Sequence, residues 1–355
     1  MIRRAELYVV PLTFNHPIVT AHSVLTTRRT VILRLETTDG IIGYGEGVAF
    51  ETPWYTSETV RSVIDVSTLI IELLKGQMVS PVSFNTHVSS IIGHPMAKAM
   101  WESALWEIEA SCSNMTLKQF MNATDVVACG RTIGIGLLSQ TLRAIESALE
   151  SGFERIKLKA SPHELIPALS EIRSHFPDAP LMIDLNGSGS EQGLDWFEAL
   201  DAYQLLMIEQ PYPSTHWGET ADLQARLTTS ICLDESIGGV QDVETMHRLQ
   251  AGRIVNIKPA RVGGLNAALA IRDSGIPYWV GGMYESSIGR YHTLLFASLS
   301  GASYPADMAG TSAYFETDLL DTPLEVENGQ LMLPDQVAPD WTMIEQLSEQ
   351  TIRLL

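Results

Sequence analysis

The runs ERIKLK (residues 154–159), LMIDLN (181–186), LLMIEQP (205–211), ICLDES (231–236), RIVNIK (253–258) and YWVGG (278–282) decide the fold. Each is a short apolar stretch that carries a charged residue or a glycine at or near its end. From Lys159 the beat passes through Asp184, Glu209, Asp234, Lys258 and Gly282, at intervals of 25, 25, 25, 24 and 24 residues. It extends back to Gly134 in RTIGIG and forward to Asp307 in SYPADMAG, which makes eight units. A buried parallel strand of about five residues, a crossover helix of ten or more and two short loops add up to this length, whereas a hairpin repeat is much shorter.

Between these runs lie SQTLRAIESALESG, DWFEALDA, ADLQARLT, VETMHRLQAG and LNAALAIRDSG, with apolar residues at three- and four-residue spacing and glycine often following. These are amphipathic helices that pack outside a parallel sheet. Eight such units favour closure into an α/β fold of the (β/α)8, TIM-type barrel over an open doubly wound sheet. Residues 1–125 break the rhythm. RRAELYVVPL, RRTVILRLETTDG and IIGYGEGVAF read as three strands with DG as a hairpin turn, and 57–75 and 95–111 read as helices. The expected organisation is an α+β capping domain (1–125), a barrel (126–315) and a C-terminal segment (316–355) that returns to the capping domain.

Acidic residues outnumber basic ones by 42 to 23, a net charge of −19 that disfavours nucleic acid and anionic lipid as partners. Three widely spaced cysteines, Cys112, Cys129 and Cys232, fit neither a disulfide framework nor a thiolate metal site. No segment approaches the roughly 20 apolar residues of a membrane span. The expectation is a soluble, cytoplasmic enzyme acting on a small carboxylate, with homo-oligomerisation left open.

Active sites of such barrels lie at the C-terminal strand ends. There Asp184, Glu209 and Asp234 become spatial neighbours. Three converging carboxylates repel unless a hard cation compensates, and oxygen-only ligation suits Mg2+ best, with Mn2+ as a substitute. Lys157 and Lys159 alternate along one strand and so both point inward, and Lys258 stands four strands away. Mutual repulsion, desolvation and the metal are expected to lower the lysine pKa values so that one serves as a base. A cation and an opposing ammonium would stabilise the enediolate formed when a proton leaves the carbon beside a carboxylate. An isolated strand-end acid is more often a helix N-cap, and an isolated lysine is more often a solvated surface group. The common interval, and the cost of unpaired charge on apolar strands, turn both readings towards function. Cys232 reads as a buried small side chain, and His22 and His292 as structural or solvent-facing.

In this order and spacing, KLK, IDLN, IEQP, LDES and NIKPARVGG resemble the enolase superfamily, and within it the o-succinylbenzoate synthases and N-succinylamino acid racemases. PIVTAHSVLTTR, FETPWYTSET and GGMYESSIGRYHT extend the resemblance over nearly the whole chain. It implies Asp184, Glu209 and Asp234 as metal ligands and Lys159 as the base, with Lys157 tuning it. Lys258 would stabilise the enediolate, or act as the second acid/base in a racemase. Asn186 would lie beside the metal, Arg261 resembles an arginine of the subgroup that includes racemases, and Gly282, Met283 and Tyr284 would line the pocket. The loop from Thr20 to Arg28 would close over substrate, although its TAHSVL departs from the family pattern.

The activity so implied is syn-dehydration of a cyclohexadiene carboxylate to o-succinylbenzoate in menaquinone biosynthesis. Racemisation of N-succinylamino acids is the runner-up, and one protein could do both. A catalytically dead scaffold has no need of so many converging charges. A sugar-acid dehydratase would want a histidine base near the seventh strand, where this chain reads GGMYES.

Overall fold

The computed structural model describes residues 1–19, 24–159, 161–299 and 301–355. Strands β1 (Ile2–Val19), β2 (Val24–Thr37) and β3 (Ile42–Gly47) form an antiparallel meander. The β2–β3 turn passes through Asp39 and Gly40, with Gly40 at φ 81° donating to the Thr37 carbonyl. Helices α1 (Val60–Leu74), α2 (Pro81–His87) and α3 (Pro95–Cys112) cover one face.

Strand β3 reads IGYGEG, so its glycines share one face. A Cβ on Gly43 would stand 2.0 Å from the Ala104 carbonyl oxygen, and one on Gly45 would stand 2.1 Å from that of Met100. Helix α3 therefore rests on bare strand backbone. The opposite face of β3 presents Tyr44 and Glu46 to the rest of the molecule.

After β4 (Val126–Ala128) come seven parallel strands: β5 (Arg131–Gly134), β6 (Ile156–Lys159), β7 (Leu181–Asp184), β8 (Ile208–Glu209), β9 (Ile231–Leu233), β10 (Ile254–Ile257) and β11 (Tyr278–Val280). They hydrogen-bond in chain order. The eighth stave is reduced to bridges, Ala306 with Cys129 and Asp307 with Gly281. Bonds from Asp307 N to Val280 O (2.8 Å) and from Gly130 N to Ala306 O (2.7 Å) close the ring. The barrel expected from the beat is present, with its last strand too short to form a ladder. Strands β12 (Val326–Glu327) and β13 (Gln330–Met332) extend β4, and β14 (Gln350–Arg353) adds to β1 in the first sheet. Among the described residues no helix is long and apolar enough to cross a membrane.

Two buried acids dock the capping layer on the barrel. Glu46 accepts from Ser286 N (3.0 Å), Ser286 Oγ (2.6 Å) and Gly289 N (2.8 Å), satisfying the first turn of the barrel helix Ser287–Ala297. Glu102 of α3 accepts from Asn266 N (2.8 Å) at the start of helix Leu265–Asp273. The VGG turn makes this approach possible, because a Cβ on Gly264 would lie 2.6 Å from Glu102 Oε1. The acid that meets this turn is thus the chain's own carboxylate.

Burial pushes the Glu102 carboxyl up to about 7, whereas in the unfolded chain it ionises near 4.5. Between these values the folded state holds the extra proton, so this group's contribution to stability falls as pH rises. Glu102→Gln keeps an acceptor for Asn266. It is expected to be close to neutral at pH 5 and to raise Tm by roughly 2–4 °C at pH 8. Paired thermal melts test this, and a Tm difference that does not change with pH would contradict it.

Candidate active site

Period-two alternation sorts the barrel residues. Leu158, Ile183, Ile208, Leu233 and Val255 face outward and join the main core with the surrounding helices. Met182, Met207, Cys232, Ile254 and Trp279 point inward and form a separate apolar plug. Two residues further along four of these strands, on the same inner face, stand Asp184, Glu209, Asp234 and Asn256. Register sets the acids side by side: Lys159 pairs with Asp184 and Asp184 with Glu209 across adjacent strands. Asp234 follows just beyond the end of β9.

Ammonium groups interleave with these carboxylates. Lys157 Nζ, buried over the Trp279 ring at 5.0 Å, lies 2.7 Å from Asp307 Oδ2, 3.3 Å from Glu209 Oε2 and 3.5 Å from Asp184 Oδ2. Lys159 Nζ lies 3.1 Å from Asp184 Oδ2. Lys258 Nζ lies 2.8 Å from Asp234 Oδ2, and Arg261 Nη1 takes Asp234 Oδ1 at 2.6 Å. Asp307 also accepts from Thr132 Oγ1 (2.8 Å). Lys159 and Lys258 stand four staves apart in a ring of eight, on opposite sides of the mouth.

The lowered lysine pKa values are expected with a cation on the acids; without one the balance runs the other way. Burial pulls Lys157, Lys159 and Lys258 down, but the facing carboxylates outweigh it and hold all three above their ordinary value. For Lys157 these are Asp307, Glu209 and Asp184, for Lys159 Asp184, and for Lys258 Asp234. Glu209 moves up because it is buried beside Asp184. Asp234 moves down because Arg261 and Lys258 overcome its burial.

The remaining expected residues are placed as follows. Asn186 at φ 44° accepts from Lys159 Nζ (3.1 Å) and donates to Glu235 Oε1 (3.0 Å). Arg261 is buried and also donates to the Tyr55 hydroxyl (2.5 Å). Tyr284 at φ 55° stacks edge-on with Phe14 and Tyr314. Met283 packs into the capping-domain core, with Gly282 next to it in the chain. Thr20 and His22 lie outside the described residues. His292 bonds Glu107 at 3.0 Å, and Cys232 Sγ accepts from Trp279 Nε1 at 3.2 Å.

Four further residues shape the site. Tyr55, from the capping domain, accepts from Lys258 Nζ at 3.0 Å. Asn256 Nδ2 holds Glu209 Oε1 at 2.8 Å. Gln210 Oε1 accepts from the backbone of Asp234 (3.0 Å) and Ser236 (3.2 Å), fixing the turn that carries the third acid. Glu235 holds Asn186. Asn256 was legible, since it lies two residues before Lys258 on the same strand face. Tyr55 reads from the sequence as either a core or a pocket residue, whereas the Gln210 and Glu235 contacts span separate units and turns that no local pattern announces.

Residues 140–339 match the family described as enolase C-terminal domain-like, and residues 4–122 match the mandelate racemase / muconate lactonizing enzyme N-terminal domain. The chain belongs to the enolase superfamily. This superfamily member is 34% identical to the o-succinylbenzoate synthase of Bacillus subtilis over 94% of its length and 92% of that protein's. It is 36% identical to the Enterococcus faecalis o-succinylbenzoate synthase (94% and 93%), and 35% identical to the Thermus thermophilus N-succinylamino acid racemase (95% and 93%). A solved enolase-superfamily structure from E. faecalis superposes with TM-score 0.95 at 33% identity, covering 100% of this chain and 99% of that one.

Members of this superfamily generally use a divalent metal. Among the described residues no three acidic, imidazole or thiolate side chains are already drawn into one ligand shell, because lysine and arginine take the carboxylate oxygens. The donor set nevertheless fits such an ion. Asp184, Glu209 and Asp234 offer hard oxygens from three successive strands, and burial beside Asp184 holds the Glu209 carboxyl up, which a cation on the acids would relieve.

Because Glu209 must lose its proton to ligate, affinity for a divalent ion is expected to rise as pH goes from 6 to 8. Mg2+ titrations read by thermal shift should give a lower midpoint concentration at pH 8. Equal midpoints at both pH values would contradict this account of Glu209.

Proposed function

We propose that this enzyme is an o-succinylbenzoate synthase, carrying out syn-dehydration of 2-succinyl-6-hydroxy-2,4-cyclohexadiene-1-carboxylate in menaquinone biosynthesis. The observation that carries this reading is 34–36% identity, over 94% of the chain, to relatives of that name. The acids and opposed lysines of the barrel mouth supply a site able to do the chemistry.

In this reading Asp184, Glu209 and Asp234 hold a divalent ion, Mg2+ by its preference for hard oxygen donors, with Mn2+ able to replace it. When bound, such an ion supplies positive charge to the enediolate oxygens and neutralises the acids that otherwise keep the lysines protonated. Neutral Lys159 removes the proton beside the substrate carboxylate. The resulting ammonium then returns a proton to the departing hydroxyl, so water leaves and the ring becomes aromatic. Lys258, kept by the Tyr55 hydroxyl once the ion has taken Asp234, faces the enediolate as an ammonium and is not consumed. Lys157 stays charged beneath, its proton held by Asp307, and its field favours the neutral form of Lys159. Asn186, Arg261, Gly282, Met283, Tyr284 and Thr20 belong to this reading as substrate-side residues. The three free cysteines fit a reducing cytoplasm.

A second reading, N-succinylamino acid racemisation, is favoured by the similarity to the Thermus enzyme and by the opposed lysines. There Lys258 would be the second acid/base.

Purified enzyme with Mg2+ is expected to convert the cyclohexadiene carboxylate to an aromatic product, followed by ultraviolet absorbance. Lys159→Ala should lower kcat by about 10^2–10^4. Proton NMR in D2O tests the second reading through α-proton exchange of both N-succinylamino acid enantiomers. Absence of both activities would overturn the pair.

A further inference from the structure

Asn186 stands between a donor and an acceptor. Its Oδ1 receives Lys159 Nζ at 3.1 Å, and its Nδ2 gives a hydrogen to Glu235 Oε1 at 3.0 Å. Its backbone N–H is tied to Asp184 Oδ1 at 3.0 Å, and its φ of 44° lies in the left-handed region that Asn tolerates better than most residues. Neither end of the amide can be exchanged. A flipped amide would set NH2 against the lysine and oxygen against the carboxylate, leaving two donors and two acceptors face to face.

We infer that Glu235 and Asn186 form a positioning relay for Lys159, in which the Glu235 carboxylate locks the Asn186 amide so that its oxygen fixes one N–H of the lysine. This rests on the proposed role of Lys159 in proton removal. A neutral amine has two N–H bonds and one lone pair. Holding one N–H against a fixed oxygen narrows the directions the lone pair can take, and proton transfer depends on that direction. The contact suits a base for a second reason. An amide oxygen carries no net charge, so it orients the amine without adding a second carboxylate beside that of Asp184. Lys258 has a comparable pair of contacts, the Asp234 carboxylate and the neutral Tyr55 hydroxyl, the latter held by Arg261.

Glu235 is bonded to the relay through one oxygen only, and Oε2 is buried without a hydrogen-bond partner. The lock therefore depends on acceptance at Oε1. Glu235→Gln keeps an amide oxygen able to accept there, whereas Glu235→Leu removes it. Asn186→Gly removes the amide while accepting the positive φ.

The test is steady-state dehydration by the Mg2+-loaded enzyme with substrate carrying hydrogen or deuterium at the abstracted position. Glu235→Leu and Asn186→Gly are expected to lower kcat about tenfold or more, with KM of Glu235→Leu staying within about threefold. The primary isotope effect on kcat should be at least as large as in the parent enzyme, because C–H cleavage has become slower. Glu235→Gln should recover most of kcat. Unchanged kcat in Glu235→Leu, a rise in KM with kcat intact, or a Glu235→Gln defect as severe as that of Glu235→Leu would each overturn the relay while the proposed activity stands. A parent enzyme that forms no aromatic product would overturn that activity and the relay with it.

Discussion

The site depends on the mutual neutralisation of ionised side chains that the barrel holds out of water. Asp184, Asp234 and Asp307 carry negative charge, and Glu209 a carboxyl that gives up its proton less readily, into a mouth floored by Trp279, Met182 and Met207, where an isolated carboxylate would be very costly. Lys157, Lys159, Lys258, Arg155 and Arg261 answer them one for one or nearly so. Most of the acids touch two cations and Lys157 touches three acids, so the charges are balanced as a set rather than pair by pair.

That set is built in two tiers. Beneath, Lys157 is clasped by Asp307, with Arg155 stacked on the Trp279 ring at 4.5 Å, and this tier is closed to substrate by its burial. Above it stand Lys159 and Lys258, each sharing an acid of the triad. The lower tier keeps a partner outside the triad, Asp307, whereas the carboxylate partners of the two upper amines are the triad acids themselves. The capping layer takes part directly: Tyr55 reaches Lys258, while Glu46 and Glu102 fasten the same layer to barrel helices.

Much of this was legible in the sequence because a barrel strand is a short period-two object repeated at a near-constant interval. The run IKLK shows both that its lysines share a face and that they belong at a strand end, and the same logic covers Asp184, Glu209 and Asp234. What escaped has a common cause. The Lys157–Asp307 clasp needs the first and last staves to meet, Tyr55 arrives from another layer, and Glu235 meets Asn186 across two turns. The carboxylates that face the lysines when no cation is bound were not legible for the same reason. Only the closed ring reveals how many carboxylates face each amine. The VGG turn, with its resemblance to an anion cradle, is accounted for by Glu102, a partner that only the docking of α3 supplies.

The central claim is that the three acids of successive strands are a cation site held in reserve by lysine and arginine. Crystals grown with Mn2+, with diffraction recorded at the manganese absorption edge, test it most directly. The account predicts one strong anomalous peak bonded to carboxylate oxygens of Asp184, Glu209 and Asp234 at about 2.0–2.3 Å, with Lys159 and Lys258 no longer paired to those oxygens. A mouth without a peak at saturating Mn2+, or a peak that leaves any of the three acids on its lysine or arginine partners alone, would contradict it.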